Sequence, residues 1–142
     1  MKQGIIFLFI CMLSLSAKSQ LNVSTYHTNA FAIGTNKLKP VSGELKIFAN
    51  DKFEFVQTEL DLFYNFKAST YHKFAVGFGL NLTPFAETDQ LRAFTVPLSL
   101  EIFPIKEFKK LSFLVEVAPE FMIESDARLR HLWGIRYTFG NE

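Results

Sequence analysis

From Phe53 onward the chain alternates large apolar residues with small or charged ones at a strict period of two, a pattern made by a strand with two differently solvated faces. Across residues 56–67 one parity holds Val56, Thr58, Leu60, Leu62, Tyr64 and Phe66, and the other holds Gln57, Glu59, Asp61, Phe63, Asn65 and Lys67. After a turn at Ala68-Ser69-Thr70, Phe74, Val76, Phe78, Leu80 and Leu82 alternate with Ala75, Gly77, Gly79 and Asn81. A loop from Pro84 to Gln90 leads to one strand in which Phe94, Val96, Leu98, Leu100 and Ile102 oppose Thr95, Pro97, Ser99, Glu101 and Phe103. Beyond a turn with Pro104 and the bases Lys106, Lys109 and Lys110, Leu111, Phe113, Val115, Val117 and Phe121 alternate with Ser112, Leu114, Glu116, Ala118 and Glu120. Glu124-Ser125-Asp126 is the next turn, and the last strand sets Leu129, His131, Trp133, Ile135, Tyr137 and Phe139 against Arg128, Arg130, Leu132, Gly134, Arg136 and Thr138.

Upstream of Phe53 the turn signals crowd together. Glu44 to Ala49 reads as a strand ending at a hairpin tip, Asn50-Asp51. Leu21 to His27 and Phe31 to Gly34 read as two short strands around Asn29 or as one bent strand, and the first choice makes eight strands in all. The expected fold is all-β, a single antiparallel up-and-down barrel of about eight strands, with short loops at Asn36–Gly43 and Phe85–Arg92.

The first residues belong to a different unit. Lys2, the apolar run from Ile5 to Leu15 and the small pair Ala17 and Ser19 have the layout of a cleaved secretory signal over residues 1–19, which leaves 20–142 as one barrel domain. The apolar run is shorter than the ~20 residues that a helical anchor needs. A lipoprotein reading of Cys11 fails because Ile10 is bulky where a small residue is required. Cys11 is the only cysteine, so the mature part has no disulfide and no thiolate metal site. A net charge of +1 with interspersed signs carries no nucleic-acid footprint.

The composition of the polar parity indicates which face is wet. A solvated face fills with long charged side chains, whereas Ala75, Gly77, Gly79 and Asn81 suit the crowded inside of a narrow barrel. The same parity carries both charge signs within strands, and the expectation is an interior ion-pair network of Glu59, Asp61, Lys67, Glu101, Glu116, Glu120, Arg128, Arg130 and Arg136. The bulky parity then turns outward to lipid, with Tyr64, Tyr71, Trp133 and Tyr137 toward the strand ends where a membrane interface would lie. A second reading keeps the same strands but buries the apolar parity, giving a secreted or periplasmic soluble barrel around a small apolar ligand.

The final strand, "LWGIRYTFGNE", resembles the C-terminal signature of outer-membrane β-barrels, and "FAVGFGLNL" and "FTVPLSLEIFP" resemble small barrels of the OmpA/OmpX-like superfamily common in Bacteroidota. The resemblance implies a transmembrane barrel in the bacterial outer membrane, with outer-membrane lipid as its surroundings. It also implies that Ile135, Tyr137 and Phe139 are read by the barrel-assembly machinery. Here Gly140-Asn141-Glu142 follow the aromatic on which many members stop.

The sequence presents no cofactor motif. The three histidines show no metal-ligand spacing on one element, and His131 falls on the lipid-side parity. Pairing His72 with Ser69, or His27 with Ser24, gives no catalytic spacing, and Glu116 with Glu120 sits among arginines that make ion pairing the simpler reading. The expectation is a non-enzymatic barrel with a structural or surface-binding role in the envelope.

Overall fold

The structure is a computed structural model that describes residues 20–35, 39–49, 56–86 and 90–140. The expected signal peptide and the expected tip at Asn50-Asp51 lie outside the described residues. Among the described residues the regular elements are strands: β1 (Leu21–Tyr26), β2 (Ala30–Thr35), β3 (Val41–Phe48), β4 (Gln57–Asn65), β5 (His72–Leu82), β6 (Leu91–Thr95), β7 (Leu98–Ile102), β8 (Leu111–Met122) and β9 (Arg128–Thr138). Each pairs antiparallel with its neighbours, and β9 returns to pair with β1 through Asn22↔Thr138 to Tyr26↔Gly134. The sheet therefore closes on itself and leaves no edge strand.

β6 and β7 lie end to end between the same two neighbours, β5 and β8, so the nine segments form eight staves. Sequence periodicity predicts one strand from Phe94 to Phe103, and proline chemistry is what divides it. Pro97 accepts from the Gly77 N–H at 2.8 Å and Pro119 accepts from the Val96 N–H at 3.1 Å. Neither proline has an N–H to complete its rung. At the other end of the chain, Asn29 takes a positive φ of 52°, a conformation that Asn tolerates better than most residues, and turns β1 into β2 as separate strands.

Both expected short loops contract. Val41, Ser42 and Gly43 belong to β3, where the Gly43 N–H donates to Thr35 Oγ1 at 3.0 Å, and Leu91 and Arg92 open β6. Small polar residues at strand ends resemble turn residues in sequence, although here they line the interior or complete the ladder.

Alternation along the staves produces two opposite surfaces. Inward are Asn22, Ser24, Ala32, Ser42, Glu44, Lys46, Glu59, Asp61, Ala75, Asn81, Thr95, Ser99, Ser112, Glu116 and Arg136, all buried. Outward are Phe31, Ile33, Leu62, Phe78, Leu98, Phe113, Val115, Trp133 and Ile135, all exposed. Phe63 and Tyr26 are large aromatic exceptions on the inside. A Cβ on Gly77 would lie 2.8 Å from the Phe63 ring and 3.0 Å from Pro97 Cγ, so this wall position accepts only a residue without a side chain.

The closing seam depends on a similar absence. A Cβ on Gly134 would sit 2.0 Å from the carbonyl oxygen of Thr25 on β1. Gly134→Val therefore forces the two closing strands apart and is expected to cost more than about 3 kcal/mol. Ile135→Val, on the outer face one residue away, is expected to cost less than about 1.5 kcal/mol. Urea titration of the folded and unfolded gel bands in detergent checks both.

Candidate functional site

The interior is built where charged residues of one parity meet across the barrel. Lys46 on β3 projects into the centre, with its Nζ 3.1 Å from Glu59 Oε1 and 2.7 Å from Asp61 Oδ2, both on the adjacent β4. The same ammonium lies 2.7 Å from Glu116 Oε1 on β8 and so ties two non-adjacent staves together through the centre. An ammonium offers three donors with free torsion, which suits three carboxylates arriving from different directions.

Arg130 on β9 completes this group. Its guanidinium takes both oxygens of Glu59, with Nη1 to Oε2 at 2.6 Å and Nη2 to Oε1 at 2.7 Å, the two-pronged geometry that a planar fork favours. Nη1 also donates to Glu120 Oε1 at 2.8 Å and Nη2 to Glu116 Oε1 at 3.3 Å. The group is 5.0 Å from the centre of the Phe48 ring, and Lys46 Nζ is 5.5 Å from that of Phe63, so an aromatic ring lies beside each of these cations in addition to its carboxylates. Arg128 closes one mouth by donating to Glu120, its partner across the β8–β9 ladder, while half of its side chain remains exposed.

A second group gathers around Arg136. Nη2 reaches Glu44 Oε2 at 2.5 Å, Nη1 reaches Glu101 Oε2 at 3.3 Å and Nε donates to Ser24 Oγ at 2.9 Å. Ser24 and Ser112 are its ladder partners on either side, and these short residues leave room for the long side chain to lie inside. Ser112 Oγ donates to Glu101 Oε1 at 2.5 Å, and Tyr26 Oη donates to Glu44 Oε1 at 3.0 Å. Carboxylate oxygens are thus met from several staves, as buried charge requires.

Next to the first group, the wall at Gly79 has no room for a side chain. A Cβ there would lie 2.1 Å from Asp61 Oδ1 and 2.2 Å from Thr95 Oγ1. These two atoms and Asn81 Oδ1 are buried and make no hydrogen bond within the protein, although Asp61 keeps its ion pair with Lys46.

Of the residues expected inside, the structure brings Glu59, Asp61, Glu116, Glu120, Arg128 and Arg130 into one group and Glu101 and Arg136 into the other. Lys67 is the correction. β4 ends at Asn65, the pleat that would have turned Lys67 inward stops there, and the residue is exposed in the following turn. Sequence reasoning missed Glu44, Lys46 and Tyr26. Their signal was present, because Glu44 and Lys46 alternate with Leu45 and Ile47 as Glu59 and Asp61 alternate with Leu60 and Leu62.

Among the described residues all three histidines are exposed, so none joins a serine in the interior. Ser24 faces Arg136 inside, whereas His27 is exposed and stacks on Trp133 with ring centres 4.9 Å apart. Ser69 Oγ does lie 3.2 Å from His72 Nδ1, but the pair is exposed in a turn where the Tyr71 N–H also donates to Ser69 Oγ at 3.3 Å, a turn-forming contact. His131 is exposed on the outer face near His27. Among the described residues no group of His, Cys, Asp and Glu is placed to hold a metal ion. Ile135, Tyr137 and Phe139 lie exposed along the outside of β9 and just beyond it.

These features define a class: a closed eight-stave antiparallel barrel, apolar without and ionised within. In fold it is similar to the N-terminal β-barrel domain of Pseudomonas aeruginosa OprF, with a TM-score of 0.54 and 13% sequence identity over 85% of this chain and 95% of that one. No protein-family model matches the sequence, and no curated protein does.

Removing a cation that serves several carboxylates leaves them buried and uncompensated. Lys46→Met is expected to destabilise the barrel by about 3–5 kcal/mol. Arg128→Ala at the exposed mouth is expected to cost less than about 1 kcal/mol. Unfolding midpoints in matched detergent distinguish the two.

Proposed function

We propose that the chain is a non-enzymatic barrel of the bacterial outer membrane, delivered by a cleaved signal peptide and assembled through a C-terminal strand carrying Ile135, Tyr137 and Phe139. Its lumen is filled by its own side chains, and its role is structural or surface-binding within the envelope. The observation that carries this reading is the division of charge. The outward parity of the described strands contains no Asp, Glu or Lys, while Glu44, Lys46, Glu59, Asp61, Glu101, Glu116 and Arg136 are buried inside.

A water-facing wall has no reason to exclude every acid and every lysine, whereas hydrocarbon imposes that exclusion. Hydrocarbon also requires each backbone polar group to be paired, which closure through β1 and β9 supplies. A soluble carrier of an apolar ligand would need the reverse arrangement, with the bulky parity lining a dry cavity. The connections between strands are short, which favours a compact envelope element over a receptor with an elaborate outer surface.

Fractionation checks the placement: the expressed protein is expected in the detergent-extracted outer-membrane fraction with a heat-modifiable gel mobility, and recovery from the soluble periplasm without detergent would overturn it. Phe78→Arg and Leu98→Arg, on the outer face, are each expected to weaken folding into bilayers by about 2–4 kcal/mol. Equal folding of these variants and the native chain into lipid vesicles would contradict the lipid-facing assignment.

A further inference from the structure

The barrel has two chemically different ends. The register places Leu21, Thr35, Val41, Tyr64, His72, Ile102, Leu111 and Tyr137 at one of them, together with the β2–β3, β4–β5 and β7–β8 connections. Those connections carry Lys39, Lys67, Lys106 and Lys109, all exposed, and the half-buried Lys110. Glu107 is the one acid among their described residues. At the opposite end the β8–β9 connection is acidic, with Glu124 and Asp126 exposed.

The basic end is not a set of loose loops. The Phe103 N–H donates to Tyr71 O at 2.7 Å, the Thr138 N–H to Lys110 O at 2.8 Å and the Asn65 N–H to Pro40 O at 2.7 Å, so each basic connection is tied to its neighbour by the backbone. The lysines thus stand on fixed stems around one rim.

The same end carries exposed rings: Tyr64 and Tyr137 near the ends of β4 and β9, and Phe66, Tyr71, Phe108 and Phe139 just past the strand ends. Tyr64 meets Phe66 edge-on at 5.3 Å, and Tyr137 meets Phe139 edge-on at 4.9 Å. Phe66 precedes Lys67, and Phe108 lies between Lys106 and Lys109. Rings at the edge of an apolar wall with ammonium groups immediately beyond them match the layering of hydrocarbon, interface and phosphate in a lipid leaflet.

We propose that this end of the barrel binds the phosphate headgroups of anionic phospholipids through Lys39, Lys67, Lys106 and Lys109, and so selects the leaflet against which it sits. The inference rests on the membrane-spanning reading above. A lysine near an anionic surface contributes about five-fold in association, which falls as salt screens it.

The test reconstitutes the full mature chain in neutral phosphatidylcholine bilayers and compares the protein-bound component of spin-labelled phosphatidylglycerol with that of spin-labelled phosphatidylcholine. The native chain is expected to prefer phosphatidylglycerol by about five-fold or more at low salt, with the preference declining as salt is added. Replacing the four lysines together (K39Q, K67Q, K106Q and K109Q) is expected to bring the ratio close to one without altering heat-modifiable folding, because all four are exposed. Glu124→Gln with Asp126→Asn, at the other end, is expected to leave the preference in place. Equal association of the two lipids with the native chain, or an undiminished preference in the lysine variant, would overturn the proposal. A native chain that binds inorganic phosphate in detergent, with that binding lost in the lysine variant, yet associates equally with the two lipids would show a phosphate-ion site rather than a lipid one and would also overturn it. If neither lipid shows a protein-bound component, the membrane-spanning reading itself fails, and that outcome is distinct from bound lipid without headgroup preference.

Discussion

Closure of the backbone ladder is the constraint on which the rest of this molecule depends. The pairing of β1 with β9 leaves no strand edge, so the polar backbone is engaged around the wall and the outer surface can be made of hydrocarbon side chains alone. An open sheet with Phe31, Phe78, Phe113 and Trp133 on one face would have to cover them with a second layer. Closing the sheet removes that need only if the surroundings are themselves apolar.

Closure also dictates the interior. Eight staves enclose a space only wide enough for side chains, and alternation assigns that space to the parity that the outer wall excludes. Glycine, alanine and serine make up part of it and set how far the long residues can reach. Ser24 and Ser112 flank Arg136, Gly77 lets Phe63 lie against the wall, and Gly134 lets the closing strands approach. Lys46, Arg130 and Arg136 then cross the open centre to carboxylates on other staves, so the ion pairs act as struts between strands with no direct backbone contact. An isolated charge there would be far too costly to bury, and the clusters avoid this by giving each cation several oxygens.

Much of this was legible in the sequence, for a definite reason. A period of two over long strands such as β5 and β8 assigns every residue to a face, and the paucity of long charged residues opposite Phe74 to Leu82 identifies the crowded side. Legibility failed where pattern and position diverge. Lys67 keeps the parity of Glu59 and Asp61 but lies past the last pleat of β4, and periodicity has no means of showing where a strand ends. Pro97 and Pro119 fall on neighbouring rungs only once β6, β7 and β8 are in register, so the break between β6 and β7 is a property of the pairing. Lys46 was missed because the alternation of β3 is masked by Ser42 and Gly43, which resemble a turn.

The central claim is that the bulky parity meets lipid, and Trp133 gives the most direct access to it. Trp133 is the only tryptophan in the chain, and it projects from β9 on the outer face with 60% of its surface exposed. With the folded barrel in vesicles, its fluorescence should be strongly quenched by phospholipids carrying bromine on their acyl chains and only slightly by iodide in the surrounding water. Efficient iodide quenching with no response to brominated acyl chains would mean that this face meets water, and the outward-apolar, inward-charged account would be wrong.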